Sequence, residues 1–477
     1  MNLSCVILAA GLGTRMKSRL PKVLHKVCGI PMLQAVVSAA KRLKPDRMVI
    51  VVGGHKELIK EAVEGKDVVF ALQKEARGTG HALQCARPAL KNSRGVVVVL
   101  NGDTPLVRSD TIKKFLRLHW RNKNAVSVLS FAATDPDNYG RIVRDASGQV
   151  FGIVEQNDAD AAQKKICEVN SGVYALHPRA LALLDEIRRN RSKGEYYLTD
   201  IVAAALRKRV RTAAYCIGTE EEFLGVNTRR ELYEASRLMK KQIINKWVDR
   251  GVIFLDPDSA FIHPDVSVGE GTTLYPNVYL EGHTRIGKGS IIYPNVRIRN
   301  SEIGNSVVIM DSTVIEDSRI RNRATVGPFA RIRPGSDIGS EARIGNFVEL
   351  KKSAIGKASK ASHLSYLGDA IIGKHVNIGA GTITCNYDGA KKHATEIGDD
   401  VFIGSDTQLV APVRIGRGAY VGAGSTITHD VPPNALAISR TRQRTIEGWA
   451  LKRQSSVVSR QSSVRNKKSK VGKRTGR

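Results

Sequence analysis

IHPDVSVGEGTTLYPNVYLEGHTRIGKGSIIYPNVRI, residues Ile262 to Ile298, carries an aliphatic residue at every sixth position, often followed by glycine. A six-residue period predicts one short strand per side of a triangular coil, in which about 18 residues complete one turn and equivalent side chains stack. The stretch therefore predicts a β-helix of hexapeptide repeats with these aliphatic side chains as its core: Ile262, Val268, Leu274, Leu280, Ile286, Ile292 and Ile298.

The same spacing resumes twice further along the chain. The aliphatic residues are Val314, Ile320, Val326, Ile332, Ile338 and Ile344, and later Ile397, Ile403, Leu409, Ile415, Val421 and Ile427. The period is lost over residues 351–370, which contain HLSYLGDA, and over residues 381–395, which contain TCNYDGAKKH. Irregular insertions on a rigid repeat are typical binding loops, so function is expected at these two breaks.

The amino-terminal half has a different pattern, in which short β-branched runs alternate with helix-like segments from Leu3 to about Asn227. The clearest strands are VILAA near the start, Met48–Gly54, Val96–Asp103 and Ala125–Phe131. Continuous apolar strands separated by helices predict a Rossmann-like α/β domain with a parallel sheet covered on both faces. Ligands of such sheets bind beyond the carboxyl ends of the strands.

A long amphipathic helix is predicted between the two halves, because one face repeats apolar residues every three or four positions. These residues are Leu232, Ala235, Met239, Ile243 and Trp247. We therefore expect four segments: a nucleotide-binding domain over residues 1–228, a helical linker over 229–250, a β-helix domain over 251–451 and a basic tail over 452–477.

Composition restricts the class of protein. No apolar run approaches the roughly 20 residues that a membrane span needs. The six cysteines are widely spaced, which favours reduced thiols over disulfides or a zinc site.

The formal charge is +30, and about a third of the excess positive charge lies in the acid-free, Ser-rich tail, which has the composition of a disordered segment. The remaining positive charge is spread along the chain, as suits an enzyme of anionic substrates.

The loop Leu8–Lys22, LAAGLGTRMKSRLPK, predicts a phosphate site. Gly11 and Gly13 follow a strand and precede a predicted helix, so backbone amides can approach an anion. The glycines alone leave a redox dinucleotide and a nucleoside triphosphate open, but Met16 in place of a third small residue and the four cations Arg15, Lys17, Arg19 and Lys22 favour the triphosphate.

Asp103 ends the strand that begins at Val96, and a carboxylate there is either a Mg²⁺ ligand or a turn cap. His363 lies in the first break of the repeat. Acyl transfer to an amine needs a base, and a lone histidine is either that base or a structural residue.

Together, LAAGLGTRM, PKVLH, RGTGHA, NGD, NYGRI, GIVEQ, VNSGVY, GEYYLTD and GVN resemble the sugar nucleotidyltransferases. With the second half included, residues 3–449 resemble the bacterial bifunctional N-acetylglucosamine-1-phosphate uridyltransferases and glucosamine-1-phosphate acetyltransferases. The resemblance implies a left-handed parallel β-helix, acetyl transfer from acetyl-CoA to glucosamine-1-phosphate, and then uridylyl transfer from UTP to N-acetylglucosamine-1-phosphate. It also implies a cytoplasmic homotrimer that supplies peptidoglycan and lipopolysaccharide precursors.

The resemblance assigns residues to the first site. The nucleotide and its phosphates would be held by the loop residues and two cations, the uracil by three further residues, the sugar by three more, and Mg²⁺ by two. In that order these are Leu8, Ala9, Ala10 and Gly11 with Arg15 and Lys22; Gln73, Gly78 and Thr79; Gly140, Glu155 and Asn170; and Asp103 with Asn227.

The resemblance likewise implies that His363 is the general base of acetyl transfer. The phosphate of glucosamine-1-phosphate, its sugar, and the acetyl-CoA path, which is built between subunits, would be contacted by further matched residues. These are Arg333 and Lys351 for the phosphate; Tyr366 and Asn377 for the sugar; Asn386 and Tyr387 near the acetyl donor; and Ala380, Ser405, Ala423 and Arg440 along acetyl-CoA.

Two alternatives remain at the level of sequence. In one, the chain is a nucleotidyltransferase whose repeat domain only regulates or oligomerises. In the other, the basic tail adds nonspecific contact with a nucleic acid or another polyanion, against the simpler view that it is a solvated segment.

Overall fold

A computed structural model describes residues 2–11, 13–63, 68–91, 93–190, 194–454, 456 and 457 of the chain. Most of the predicted basic tail, residues 458–477, lies outside the described residues. Within the described ranges, no helix combines the length and the apolar character that crossing a membrane requires.

The amino-terminal half is an α/β domain built on one mixed sheet. Its strands are β1 (Leu3–Leu8), β2 (Lys26–Val27), β3 (Ile30–Pro31), β4 (Arg47–Val52), β5 (Val68–Leu72), β6 (Val96–Asn101), β7 (Val126–Ala132), β8 (Arg141–Arg144), β9 (Val150–Val154), β10 (Glu168–Leu176) and β11 (Thr212–Cys216). Its α-helices are α1 (Met32–Lys41), α2 (Lys56–Ala62), α3 (Thr79–Ala86), α4 (Ser109–Arg121) and α5 (Asp200–Arg207).

The strand order in this sheet is β11-β7-β10-β6-β1-β4-β5, with the β8–β9 hairpin beside β10, whereas β2 and β3 form a separate two-stranded sheet. The four strands predicted from apolar runs are confirmed as β1, β4, β6 and β7. The expectation of a wholly parallel sheet is wrong, because β10 runs antiparallel to both β6 and β7. A connection that contains only the 3₁₀ turn Gln163–Lys165 leads from β9 to β10, whereas a parallel strand usually follows a crossover helix. Apolar clusters cover both faces of the sheet, as the continuous apolar strands require.

Helix α6 (Arg229–Val248) joins the two halves, as the apolar spacing predicts. Thr228 and Glu231 form a capping box at its start: the Thr228 hydroxyl accepts from the Glu231 N–H, and the Glu231 carboxylate accepts from the Thr228 N–H. The buried face of α6 belongs to the same apolar cluster as the interior of the following β-helix. The helix therefore continues the core of the repeat domain and also touches the first domain.

The carboxyl-terminal half is a prism of three parallel sheets, which we call the first, second and third faces. The first face contains β12 (Ile253–Phe254), β15 (Thr273–Leu274), β18 (Ile291–Ile292), β21 (Val308–Ile309), β24 (Thr325–Val326), β27 (Arg343–Asn346), β30 (Lys360–His363), β33 (Asn377–Ile378), β36 (Phe402–Ile403), β39 (Tyr420–Val421) and β41 (Leu436–Ala437). The second contains β13 (Phe261–Ile262), β16 (Tyr279–Glu281), β19 (Arg297–Arg299), β22 (Val314–Glu316), β25 (Arg331–Ile332), β28 (Glu349–Lys351), β31 (Tyr366–Gly368), β34 (Ile383–Cys385), β37 (Gln408–Val410) and β40 (Thr426–Ile427). The third contains β14 (Ser267–Val268), β17 (Arg285–Ile286), β20 (Glu302–Ile303), β23 (Arg319–Ile320), β26 (Asp337–Ile338), β29 (Ala354–Ile355), β32 (Ala370–Ile372), β35 (Thr395–Ile397) and β38 (Val413–Ile415).

The register of the β-helix corrects the predicted core at one position. Ile315, which is fully buried, stacks on Ile332, whereas the predicted core residue Val314 is half-buried and pairs with Arg331. The cause is a shorter coil: Ile315 pairs with Ile332, seventeen residues later, whereas Leu280 pairs with Ile298, eighteen residues later. Only five positions separate the buried Ile315 from the buried Ile320, so counting back in sixes from Ile320 places the core one position too early.

The two predicted breaks in the period have different structures. Over residues 351–370 the coil continues without an inserted loop, and Leu350 stacks directly on Leu367, so the expectation of an insertion there is wrong. The small core residue Ala361 and another shortened coil hide the period. Over residues 381–395 the insertion is confirmed, because Ile372 pairs with Ile397 and the additional residues form a loop.

The register can be tested with adjacent substitutions. We expect Ile315→Ala to destabilise the repeat domain by about 2–5 kcal/mol, because it leaves a cavity in a closely packed core. Val314→Ala removes a half-buried side chain and should have a clearly smaller effect. Urea unfolding of both variants measures the difference, and a larger effect at position 314 would contradict the seventeen-residue coil.

Candidate active sites

A cavity of about 560 Å³ opens beyond the carboxyl ends of β1 and β6. The position agrees with the general rule for ligands of α/β sheets. Twelve of the residues predicted for the first site line it: Leu8, Ala9, Ala10, Gly11, Arg15, Lys22, Gln73, Gly78, Thr79, Asp103, Glu155 and Asn227. The fold therefore brings together, from distant parts of the chain, most of the residues predicted for the first site.

The loop after β1 differs from the predicted turn into a helix. A single 3₁₀ turn, Thr14–Met16, follows Gly13 in place of the predicted helix. The left-handed backbone of Lys17 ends this turn immediately. At this loop, attraction for an anion therefore comes from side-chain charge rather than from a helix dipole.

Two of the four predicted loop cations line the cavity, Arg15 and Lys22, whereas Lys17 and Arg19 are exposed away from it. Met16 is fully buried and fixes the loop to the protein interior. A Cβ on Gly13 would lie 2.5 Å from the Cβ of Lys22, so the loop folds tightly over Lys22. This close approach places the Lys22 ammonium inside the cavity.

Lys22, Asp103 and Asn227 form the electrostatic centre of the cavity. The Lys22 Nζ lies 2.5 Å from Asp103 Oδ2 and 3.0 Å from Asn227 Oδ1. Backbone bonds hold the two oxygen ligands, since the Val226 N–H donates to the carbonyl of Asp103 and the Asn227 N–H donates to Glu231 at the start of α6. Two oxygens that converge on one ammonium have the spacing to bind a cation, so the donor set fits a divalent metal completed by water and phosphate oxygens.

That set is small. In the described part of the chain, no group of three or more His, Cys, Asp or Glu side chains is arranged to hold a metal ion. A site with one carboxylate and one amide needs ligands from the substrate. This need is typical of hard cations that bind together with a nucleoside triphosphate.

The end of the cavity predicted to bind the base is built around Gln73, which follows β5 and is 5% exposed. Its Nε2 lies 3.1 Å from the Gly78 carbonyl and 3.0 Å from His81 Nδ1. Gly78 has φ of 96°, and a Cβ there would lie 2.5 Å from the carbonyl oxygen of Tyr196, so only glycine fits without strain. The Thr79 hydroxyl accepts from the Leu198 N–H, which fixes the start of α3.

Of the three predicted sugar residues, one lines the cavity. Glu155 lines the cavity and accepts from the Thr199 hydroxyl at 3.0 Å. Gly140 and Asn170 do not line it, but they lie directly behind Glu155: a Cβ on Gly140 would be 3.6 Å from the carboxylate, and the Asn170 N–H donates to the Gly140 carbonyl. The structure therefore places these two residues in a second layer of the site.

Glu195 and Tyr197 are among the lining residues that sequence reasoning missed, although both lie in the quoted motif GEYYLTD. Burial raises the pKa of Tyr197, and the nearby carboxylates of Glu195 and Glu155 raise it further. Its phenol thus stays a neutral hydrogen-bonding group beside the predicted sugar position.

In the β-helix, register aligns the residues predicted for acetyl-CoA. Two positions after the core residue of the first face, successive coils carry Asn346, His363, Ala380, Ser405 and Ala423. Backbone bonds connect this column, including Asp406 N–H to the Ala380 carbonyl and Gly424 N–H to the Ser405 carbonyl. Arg440 completes it by donating from its guanidinium to the Ala423 carbonyl at 2.7 Å. We call this the His363 column.

His363 is exposed, and its Nδ1 lies 2.7 Å from Asn346 Oδ1 on the preceding coil. The amide oxygen can only accept, so in this arrangement Nδ1 carries the proton and Nε2 is the acceptor. Asn346 was not predicted, because the sequence does not reveal which residue of one coil stacks on which residue of the next.

A second group lies at the end of the second face, and we call it the Lys351 column. Arg333, Lys351 and Gly368 follow one another in register, but Arg333 is paired with Glu349 at 2.8 Å. A Cβ on Gly368 would meet both the Tyr366 hydroxyl and the Asn386 amide, so the glycine lets these two predicted residues approach each other. Asn386 is itself held by Asp369.

The inserted loop adds a cation that was not predicted. Lys392 lies beside Lys351, and this neighbouring ammonium lowers the pKa of Lys392. Tyr387 is exposed on the same loop, and a hydrogen bond of 2.6 Å between His393 Nε2 and Asp388 Oδ2 closes the loop. Two adjacent ammonium groups favour a bound anion between them.

Asn377 is not brought together with the Lys351 column. It lies on the first face, in register with Lys360 and Phe402, whereas Lys351, Tyr366 and Asn386 belong to the second face or its end. Within one chain, the predicted sugar contacts therefore occupy two sides of the prism.

Comparison with known proteins agrees with this architecture. Residues 5–209 match the model of the MobA-like NTP transferase domain, and residues 265–300 and 394–429 match that of the bacterial transferase hexapeptide with six repeats.

Several curated proteins are similar over nearly the whole chain, and each is named Bifunctional protein GlmU. That of Thermodesulfovibrio yellowstonii is 49% identical over 94% of this chain and 99% of its own. Those of Geotalea uraniireducens and Halalkalibacterium halodurans are 44% and 46% identical, each over 95% of this chain and 99% of its own. The chain therefore belongs to the bifunctional GlmU family, and it is an acetyltransferase and uridylyltransferase of UDP-N-acetylglucosamine synthesis.

Proposed function

We propose that the two transfers take place at the two groups of residues described above: uridylyl transfer in the cavity around Lys22, Asp103 and Asn227, and acetyl transfer at the His363 and Lys351 columns. The enzyme acetylates glucosamine-1-phosphate with acetyl-CoA and then joins the product to UTP with release of pyrophosphate, which supplies precursors of peptidoglycan and lipopolysaccharide. The observation that carries the proposed sites is the convergence of Lys22, Asp103 and Asn227 inside the cavity.

In uridylyl transfer, a phosphate oxygen of N-acetylglucosamine-1-phosphate attacks the α-phosphorus of UTP. Asp103 and Asn227 are the residues that would hold Mg²⁺, which when bound neutralises charge on the phosphate oxygens. Lys22 and Arg15 bind the phosphates from the loop side, and Gln73, Gly78 and Thr79 orient the uracil. The protein supplies no nucleophile, so its contribution is positioning and charge neutralisation.

In acetyl transfer, His363 is proposed to take the proton from the amino group of glucosamine-1-phosphate. Asn346 accepts from Nδ1 and so keeps the lone pair of Nε2 available for that proton. Lys351, Lys392 and Arg333 supply positive charge for the substrate phosphate, while Ala380, Ser405, Ala423 and Arg440 line the length of acetyl-CoA. Small residues in this column leave room for an extended ligand along the edge of the prism.

We further propose a homotrimer with acetyl-CoA sites between subunits, located in the cytoplasm, where UTP and acetyl-CoA are available. Two observations support the assembly. Asn377 lies on a different side of the prism from Lys351, so a shared substrate needs a second subunit. In addition, Phe329, Phe347 and Leu364 form an exposed apolar stripe at the corner beside His363, with the two phenyl rings stacked at 5.4 Å.

Removing the proposed metal ligand should separate the two activities. We expect Asp103→Asn to lower uridylyl transfer by at least about 10²-fold, because charge stabilisation at the phosphates is lost. Acetyl transfer should stay unchanged, since the β-helix is untouched. Both half reactions are measured with saturating Mg²⁺. Asp110→Asn, an exposed aspartate on α4, is the matched control, and full uridylyl transfer by Asp103→Asn would refute the assignment.

Acetyl transfer should depend on the pair formed by His363 and Asn346. We expect His363→Asn to lower its rate by about 10²–10⁴-fold, the usual contribution of a general base. Asn346→Ala should lower it less and leave uridylyl transfer intact. The matched control is His375→Asn, which changes an exposed histidine elsewhere on the prism. If the β-helix had only a structural role, His363→Asn would leave the rate of acetyl transfer unchanged, or there would be no acetyl transfer to lose.

A further inference from the structure

His81 takes no part in the mechanism above, yet it contacts a residue of the base-binding end. It lies in the first turn of α3, half-buried, with Nδ1 3.0 Å from the Gln73 Nε2. The same Nε2 also lies 3.1 Å from the Gly78 carbonyl. Both hydrogens of the Gln73 amide thus have a partner in the protein.

The chemistry of these partners fixes the direction of the amide. A backbone carbonyl only accepts, so the Gln73 nitrogen must face Gly78. His81 Nδ1 must then accept the second hydrogen, which places the ring proton on Nε2. That nitrogen lies 3.8 Å from the Cys85 sulfur, a weak acceptor. In this one arrangement, each hydrogen bond of the series Gly78–Gln73–His81–Cys85 has a donor and an acceptor.

The consequence is that the Gln73 Oε1 remains for a ligand. Gln73 lines the cavity, and no protein donor to its Oε1 is found among the described residues. Beside it, α3 begins at Thr79, where the N–H groups of Thr79 and His81 have no acceptor within the helix, while the Gly80 N–H donates to the Tyr196 carbonyl. The cavity therefore presents an acceptor next to fixed donors.

This order of acceptor and donor distinguishes the pyrimidines. Uracil offers its N3–H as a donor next to the carbonyl oxygen O4, which matches an amide oxygen beside backbone N–H groups. Cytosine offers the reverse, a lone pair at N3 next to an amino group, so like groups would face each other. The direction of the Gln73 amide decides which base fits.

We propose that His81 is a positioning residue for nucleotide specificity: by accepting from Gln73, it holds the amide oxygen toward the base and so selects uridine over cytidine triphosphate. The inference rests on the proposed function, in which Gln73 contacts the base. Without His81, one buried amide hydrogen has no partner, and only Gly78 opposes rotation of the amide.

Two substitutions at His81 test the acceptor directly, and the measurement is the ratio of kcat/KM for UTP to that for CTP in the full chain. In His81→Asn, the side-chain oxygen can take the place of Nδ1, so the ratio should stay within about threefold of the original value. His81→Leu has a similar size but no acceptor, and the ratio should fall by about tenfold or more, as expected when a buried polar group loses its partner.

Acetyl transfer provides the folding control, because it takes place in the other half of the chain. If His81→Leu does not fold, His81→Met gives a second apolar variant that suits a helix. An unchanged ratio in the apolar variant would overturn the proposal, and so would an equal fall in His81→Asn, since ring packing rather than hydrogen bonding would then be responsible. If the unmodified enzyme failed to use UTP, the proposed function would fail, whatever the ratio.

Discussion

The stacking of buried aliphatic side chains is the constraint on which the carboxyl-terminal half depends. In each coil the buried apolar residue stacks on that of the preceding coil, as Leu367 stacks on Leu350. This register determines which other side chains become neighbours. His363 meets Asn346 because both stand two positions after a core residue of the first face. Core packing and the position of the proposed base are thus set by the same repeat.

In the amino-terminal half, the contacts of one charged side chain, Lys22, organise the cavity. The sheet brings the ends of β1 and β6 together, and the loop after β1 folds back so that Lys22 reaches Asp103 and Asn227. The Lys22 ammonium is thus paired with the Asp103 carboxylate. In the proposed function, phosphates and Mg²⁺ would replace these contacts, so substrate binding would exchange ion pairs instead of leaving charges unpaired.

Much of this organisation is predictable from the sequence because it follows from periodicity. Six-residue spacing gives the prism, and three- to four-residue spacing gives α6. The prediction is wrong where one residue is missing from a coil, as at Val314, because a periodic count carries no information about a local deletion. The antiparallel β10 and the short turn after Gly13 are likewise decided by neighbours distant in sequence.

The site residues show the same division. The family resemblance of the motifs predicts Asp103, Asn227 and most of the other site residues that line the first cavity, and their roles in binding the nucleotide stay predictions. Asn346, Lys392 and His81 lie next to His363, Lys351 and Gln73, respectively, and only the structure reveals these contacts.

The most direct measurement of the two-site sequence of reactions is the mass of the nucleotide sugar formed from glucosamine-1-phosphate, acetyl-CoA, UTP and Mg²⁺ by the full chain. UDP-N-acetylglucosamine is the expected product, and accumulation of UDP-glucosamine would contradict acetylation before uridylyl transfer.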